Sequence, residues 1–334
     1  MTKVNTIKFG VLLDRCHFYR DSEGQDKSYV DWDTVVQKSV LCDNLGYDIL
    51  YQCDHLFWPP TGTTGPRAMM ELYTTKAAIA QATKRAQLCQ TVTAVGIRNP
   101  ALVARMEAQI DFISHGRTML GIGAGWADLE FKTYNIPFPK PAVRIAQMRE
   151  AIQICKLMWT DKAPTYEGKY FRIKGAVCEP KPVQKPRPRI MVGGAGEQLT
   201  LKVVAQEADE WNIGGVKSIE MLKHKMDVLR KHCEAVDRNY DDIVKQINAT
   251  AIIYKNKDEL RRIVARTPGL PQTQGLWPLT KEFDDQHLLG TTDEIIDKIQ
   301  QRIDIGVTTF NIYPRAGTDE QIELFYDKVV KHFK

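Results

Sequence analysis

Residues 189–196 read RIMVGGAG, an apolar run that ends in three glycines and an alanine just before a helical pattern begins. Strands that are buried on both faces read as continuous apolar runs, whereas strands with one solvated face alternate between apolar and polar residues. Residues 9–13, which read FGVLL, have the same continuous character. Both runs therefore predict strands of a parallel sheet whose two faces are covered.

Eight strand patterns follow one another along the chain, and an amphipathic helical stretch comes after each of them. After the third pattern, Asn99 and Pro100 are typical of a helix start and Gly116 of a helix end. Thr291 and Glu294 form a capping box before a later helix. Eight strand–helix units predict an α/β protein with a closed (β/α)8 TIM barrel, because an open doubly wound sheet usually has fewer strands. The predicted strands are Ile7–Asp14, Tyr47–Asp54, Gln87–Val95, Thr118–Gly123, Arg189–Gly194, Asp209–Ile213, Ile247–Tyr254 and Thr308–Tyr313.

We expect the barrel to be a single domain that spans residues 1–334 and carries its surplus length in loop insertions. The insertions lie near residues 56–67, 161–188 and 255–290. Within the second insertion, Tyr166–Ile173 contains a central glycine between short β-type runs and predicts a hairpin.

The composition is that of a globular protein, with 43% hydrophobic and 26% charged residues, and excludes a disordered or fibrous chain. No apolar run approaches the roughly 18 residues that a membrane span needs, and no signal-peptide stretch precedes Asp14. We therefore expect a cytoplasmic protein without a membrane partner. The net charge of +5 is small and scattered, which argues against a nucleic-acid partner but suits a small anionic ligand.

The cysteines and histidines do not have the spacing of a disulfide framework or a metal site. The seven cysteines include no CxxC pair, and no HExxH motif is present. Disulfide frameworks are characteristic of small secreted domains. We therefore expect reduced, mostly buried thiols and no metal.

The carboxyl ends of the strands are where a barrel of this class carries out its chemistry, so residues at those ends are the candidates for a site. His55 directly follows Asp54 at the end of the second predicted strand, and an imidazole there can move a proton near neutral pH. A purely structural histidine is the alternative. Because successive strand residues point to opposite faces, we do not expect Asp54 to pair with His55.

Glycine-rich turns end the fourth and fifth predicted strands. Gly194, Ala195 and Gly196 precede a helix that we predict to begin near Glu197, and free N–H groups in such a turn can bind a phosphate. A tight strand-to-helix turn without a ligand is the alternative. Residues 121–125, which read GIGAG, would let either a flat ring or a packed helix approach the backbone closely.

Several stretches of the chain resemble the bacterial luciferase-like superfamily of (β/α)8 flavin and deazaflavin oxidoreductases, and most of all its members that use coenzyme F420. The resemblance covers nearly the whole chain. It is carried by DH at 54–55, TVT at 91–93, RNPA at 98–101, GIGAGW at 121–126, YNIPFP at 134–139, GGAG at 193–196 and ADEWN at 208–212.

This resemblance implies an F420-dependent oxidoreductase that exchanges a hydride with a small-molecule substrate, and it also implies a homodimer. In the matching positions, Asp54 contacts the deazaflavin and His55 lies beside its reactive carbon as proton donor or acceptor. Thr91-Val92 matches the place of a non-proline cis peptide behind the ring. The remaining implied contacts to the ring are made by Thr93, Ala94, Ala124 and Gly125, and those to the phosphate by Gly194, Ala195 and Gly196.

The chain departs from the F420-dependent sugar-phosphate dehydrogenases of the superfamily at Trp126, where the resemblance places an acidic catalytic residue in those enzymes. We therefore do not expect glucose 6-phosphate as the substrate. Glu130, one helical turn further on, is an acidic residue that could reach the pocket. Two alternatives to the F420-dependent activity are an FMN-dependent luciferase-like monooxygenase, which would activate oxygen, and a non-catalytic flavin-binding relative.

Overall fold

Parallel strands that pair in chain order form the centre of the computed structural model, which describes residues 6–13, 17–20, 26–29, 31–59, 66, 68–214, 218–266, 286–313 and 319–334. Among these residues, the strand Lys8–Leu12 pairs with both Ile49–Gln52 and Thr309–Tyr313, and Thr118–Gly123 pairs with Arg189–Gly193, so that eight strands close into a barrel. The predicted (β/α)8 barrel is confirmed. Its strands are β1 (Lys8–Leu12), β2 (Ile49–Gln52), β3 (Gln87–Gln90), β4 (Thr118–Gly123), β5 (Arg189–Gly193), β6 (Glu210–Ile213), β7 (Val244–Ile253) and β8 (Thr309–Tyr313).

A helix follows each strand and packs on the outside of the barrel, and additional helices lie in the loops after β4 and β7. Short 3-10 turns cover Tyr240–Asp242 and Val330–Phe333. The helices are α1 (Trp32–Leu45), α2 (Leu72–Ala82), α3 (Pro100–Ile113), α4 (Asp128–Thr133), α5 (Pro141–Thr160), α6 (Thr200–Glu207), α7 (Ile219–Glu234), α8 (Lys257–Arg266), α9 (Thr292–Asp304) and α10 (Asp319–Lys328).

The predicted helix boundaries at α3 and α9 are confirmed by their caps. Asn99 Oδ1 accepts a hydrogen bond from the Ala101 N–H at 2.9 Å, and Gly116 ends the turn after α3 with φ +85°. At α9, the Thr291 side chain and the Glu294 side chain each bind the other's backbone N–H. Local side-chain chemistry therefore sets these boundaries.

The third predicted strand differs from the observed one. The sequence pattern predicts Gln87–Val95, but β3 ends at Gln90, and Thr93–Ala94 pairs separately with Ile122 and Gly123 of β4. The cis peptide between Thr91 and Val92 lies at the break. Apolar periodicity continues through such a break because it does not report backbone geometry.

Smaller elements extend this frame. Tyr166–Glu167 pairs antiparallel with Arg172–Ile173, which confirms the predicted hairpin, and His17–Arg20 pairs antiparallel with Asp26–Tyr29. Leu288–Gly290 pairs with the end of β7 and is a strand that the sequence did not predict, because three residues are too few to show a period. The predicted strand end at Asp14 and most of the 56–67 and 255–290 insertions lie outside the described residues.

The core has two layers, one between the barrel and its helices and one inside the barrel. The inner layer contains the Tyr51 ring, which lies so close to Gly10 that a Cβ atom there would overlap it. Six cysteines among the described residues are buried free thiols. None of the described helices combines the length and the apolar character that crossing a bilayer requires. The other inner-layer residues are Leu12, Ile49, Cys53, Cys89, Met119 and Met191.

Candidate active site

The predicted site residues follow the last residues of β2 to β5, so the barrel brings them to its C-terminal end. The Thr93 hydroxyl donates to the Asp54 carboxylate, and Val92 packs over Gly123 and Gly193. Asp54 and Thr93 are buried. The remaining candidates of β3, β4 and β5 are mostly half-buried, which leaves part of their surface open to a ligand; these are Thr91, Val92, Ala94, Ala124, Gly125, Gly194 and Ala195.

Asp54 is held by charged and polar groups rather than by the neighbouring histidine, as predicted. Arg98 Nη1 donates to Asp54 Oδ2 at 2.6 Å, and Arg98 Nη2 donates to Glu71 Oε1 at 2.7 Å. Burial alone would lower the pKa of Arg98, but the carboxylates of Asp54 and Glu71 raise it above its usual value. The Asp54 carboxylate is therefore a fixed, buried acceptor.

His55 pairs with a carboxylate on a different element. Its Nδ1 lies 2.6 Å from Oε1 of Glu130, whose side chain is buried. The rings of Trp58 and Trp126 approach the imidazole edge-on, with centroids at 4.9 and 5.6 Å. Trp126 itself is 64% exposed. Glu130, the acidic residue that the sequence placed one helical turn beyond Trp126, therefore lies against His55, and two indoles flank the pair.

The short helix α4 positions Glu130, and its neighbour Phe131 anchors the helix. The Phe131 ring packs on Phe138 with centroids 4.7 Å apart. A Cβ atom on Gly96 would lie 2.8 Å from this ring, and one on Gly125 would lie 3.3 Å from it. Small residues at these two positions therefore let α4 approach the strand ends closely enough for its carboxylate to meet His55.

The Thr91-Val92 peptide bond is cis, as the family resemblance implied. The Val92 side chain occupies the space over two strand ends. A Cβ atom added to Gly123 would lie 2.5 Å from Val92 Cγ2, and one added to Gly193 would lie 2.7 Å from Val92 Cγ1. At these two positions, glycine accommodates Val92. The space for a flat ring that the glycine pattern suggested is therefore not found directly over Gly123.

The turn after β5 has the features of an anion site. Gly194 has φ +128°, and its N–H donates to the Asn212 carbonyl at 3.1 Å. Within the described part of the chain, the N–H groups of Ala195 and Gly196 have no partner. The predicted helix start near Glu197 is wrong, because α6 begins at Thr200. Free N–H groups ahead of a helix N-terminus can bind a phosphate.

Sequence reasoning missed the role of Arg98 and did not pair Glu130 with His55. Arg98 lies 44 positions from Asp54, and Glu130 lies 75 positions from His55, so no local pattern links them. The carbonyls of Ala124 and Gly125 accept hydrogen bonds from Arg144, which sequence spacing also does not reveal. Over the ranges that the structure describes, no group of three His, Cys, Asp or Glu residues could hold a metal ion.

The fold and the site together define a (β/α)8 barrel with a histidine–carboxylate pair and a glycine-rich turn at its C-terminal end. A model of the luciferase-like monooxygenase family matches residues 7–309. The chain belongs to this family.

Relatives within the family include both dehydrogenases and oxygenases. The chain is 30% identical over 308 residues to the F420-dependent glucose-6-phosphate dehydrogenase of Intrasporangium calvum. The aligned region covers 86% of this chain and 90% of that protein. It is 28% identical over 167 residues to the FMNH2-dependent dimethylsulfone monooxygenase of Pseudomonas putida, covering 50% of this chain and 45% of that protein. Among solved structures, an F420-dependent secondary alcohol dehydrogenase with an F420–acetone adduct superposes with a TM-score of 0.79 at 19% identity, covering 97% and 98% of the two chains. This last likeness concerns the fold alone.

Proposed function

We propose that the chain is an F420-dependent oxidoreductase that transfers a hydride between the deazaflavin and a small organic substrate. The observation that carries the proposal is the His55–Glu130 pair at the C-terminal end of the barrel, because an imidazole can exchange a proton near neutral pH. The similarity to F420-dependent dehydrogenases over nearly the whole chain supports the choice of coenzyme.

The residues at the strand ends fit the two chemical parts of the coenzyme. For the phosphate, the turn at Gly194, Ala195 and Gly196 offers two N–H groups that lack a described partner. For the flat ring, the half-buried surface of Thr91, Val92, Ala94, Ala124 and Gly125 would form the wall, with Thr93 and Asp54 fixing its edge. When bound, coenzyme F420 supplies a carrier of two electrons as hydride.

The side chains around this wall would control the proton and the water. His55 would hold or move the proton that accompanies the hydride, while Arg98 keeps Asp54 in place. Trp58 and Trp126 would shield the imidazole from bulk water, since both rings pack against it.

A second candidate is an FMN-dependent monooxygenase, and the similarity to the FMNH2-dependent enzyme of Pseudomonas putida favours it. The same turn would hold the FMN phosphate. Reduced FMN reacts with oxygen, whereas a deazaflavin does so poorly because carbon replaces the reactive nitrogen. Oxygen consumption therefore separates the two candidates.

A fluorescence titration with coenzyme F420 and, separately, with FMN tests the proposal. We expect saturable binding of F420 and at least about tenfold weaker binding of FMN, a difference of about 1.4 kcal/mol. Preference for FMN, with oxygen uptake on its reduction, would overturn the proposal in favour of the second candidate. Binding of neither would overturn both.

A matched pair of variants tests the phosphate turn in the same titration. Ala195→Asp places a carboxylate next to the free N–H groups, and Ala195→Asn places an uncharged amide of the same shape there. We expect the Asp variant to bind the coenzyme about tenfold more weakly than the Asn variant, because the added charge repels the phosphate. Equal affinities would remove the turn from the site.

A further inference from the structure

Glu130 differs from the one other acidic residue of its helix, Asp128. Its side chain is 2% exposed, whereas that of Asp128, two residues earlier on α4, is 55% exposed and pairs with Lys132. Among the residues that the structure describes, no lysine or arginine lies within ion-pair distance of Glu130. A buried carboxylate is costly unless a hydrogen-bonding partner compensates it. The partner that the structure provides is His55 Nδ1.

The imidazole is oriented from several sides. Nδ1 faces Glu130 at 2.6 Å, and Trp58 and Trp126 stand against the ring at interplanar angles of 66° and 72°. Those two indoles also contact each other, with centroids 6.2 Å apart. Within the described ranges, no residue binds His55 Nε2. One ring nitrogen is therefore engaged and the other is open.

We propose that Glu130 is a positioning residue that fixes the tautomer and orientation of His55. An ionised carboxylate can only accept a hydrogen bond, so His55 Nδ1 carries the proton between them and the lone pair lies on Nε2. This inference rests on the proposed function, in which His55 exchanges a proton with the substrate. Nε2 is then the atom that takes that proton or gives it back.

The pairing also matches the charge that forms during proton transfer. When Nε2 accepts a proton, the neutral imidazole becomes an imidazolium beside the Glu130 carboxylate, and the pair as a whole becomes neutral. A fixed carboxylate at this distance stabilises the imidazolium without needing to reorganise. Without it, the imidazole could rotate or adopt the other tautomer, and Nε2 would no longer be the acceptor.

The test uses Glu130→Ala and Glu130→Gln, with Asp128→Asn as the matched control on the same helix. Nitrogen-15 NMR of histidine-labelled protein without coenzyme reports which ring nitrogen is protonated, and His55→Ala identifies the signal. We expect protonation at Nδ1 in the wild type and in Asp128→Asn, and substantial protonation at Nε2 in Glu130→Ala. Glu130→Gln should retain protonation at Nδ1, because its amide oxygen still accepts a hydrogen bond.

Turnover with coenzyme F420 on a panel of alcohols and ketones is the second readout. We expect Glu130→Ala to lower kcat by about 10- to 100-fold with KM within about threefold, and Glu130→Gln to fall between it and the wild type. An unchanged tautomer in Glu130→Ala would overturn the positioning role, and so would unchanged kcat. Full turnover by His55→Ala would instead overturn the proposed proton transfer, so the two failures are distinguishable.

Discussion

The two ends of the barrel differ in how their polar groups are paired. Towards the N-terminal end, the Tyr51 hydroxyl donates to Gln246 at 2.7 Å, the Gln246 amide donates to Glu210, and Glu210 pairs with Arg189 at 3.0 Å. Burial raises the pKa of Glu210, against the opposing effect of Arg189. Each of these four side chains binds the next, so the closed hydrogen-bond network stabilises the barrel without facing a ligand.

At the C-terminal end, by contrast, some hydrogen-bonding groups are left open. Within the described ranges, the N–H groups of Ala195 and Gly196 and the Nε2 atom of His55 have no partner. Trp126, which is largely exposed, lies against the His55 ring. The parallel strands of one fold therefore supply closed pairs at one end and open groups at the other. Open groups of this kind can bind a ligand.

The largest effect on stability is expected at the closed end. Glu210→Ala should lower the free energy of unfolding by about 3 kcal/mol, because it creates a cavity and removes a partner of Gln246 and Arg189. Urea denaturation measures this loss. The affinity for coenzyme F420 should not change.

An exposed ion pair provides the control for this prediction. Glu167 pairs with Arg172 at the surface, and Glu167→Ala should change stability by no more than about 0.5 kcal/mol. A loss of coenzyme affinity in Glu210→Ala that matched its loss of stability would contradict the separation of the two ends.

A smaller effect is expected where packing supports the open end. Gly193→Ala places a Cβ atom against Val92 and should cost about 1–2 kcal/mol of stability, because Val92 must shift. The same shift should weaken coenzyme binding, since Val92 is one of the proposed ring contacts. Urea denaturation and the F420 titration measure the two effects.

Val92→Ala supplies a double-mutant cycle for this pair. Truncating Val92 makes room for the new methyl group, so the double variant should be more stable than the sum of the single effects by about 1 kcal/mol. Strictly additive losses would mean that Gly193 is constrained by something other than Val92.

The smallest effect concerns pH and the closed end. Burial lowers the pKa of Lys245 to about 8, against an ordinary value of 10.5. Between these two pH values the unfolded chain binds a proton that the folded chain has lost, so stability should rise with pH in this window. Below pH 8 Lys245 is protonated in both states, so it no longer makes stability change with pH.

Comparison with Lys245→Met isolates this contribution, because both proteins share the same buried cysteines and tyrosines, which also titrate at high pH. From pH 8 to pH 9.5, the wild type should gain about 1 kcal/mol of unfolding free energy relative to the variant. Parallel curves for the two proteins would show that Lys245 does not titrate in this window.

The parts of the fold that sequence predicted correctly are those that depend on neighbouring residues. Continuous apolar runs located the eight strands, and caps such as Asn99 and Thr291 located helix starts. The start of α6 was predicted three residues too early, because Leu199 at its N-cap makes no side-chain bond that a motif could reveal. The cis peptide at Thr91 came from the family resemblance, since residue spacing carries no information about it.

Local sequence patterns were enough to predict a (β/α)8 barrel with His55, Asp54 and the glycine turns at strand ends. They were enough because hydrophobic periodicity and capping are local properties of the chain. Which groups meet depends on long-range packing, which brings Glu130 to His55 and Arg98 to Asp54. A hydrogen bond requires its two atoms to approach within a few tenths of an ångström of a set distance, and only closure of the barrel and docking of α4 fix that distance across the chain.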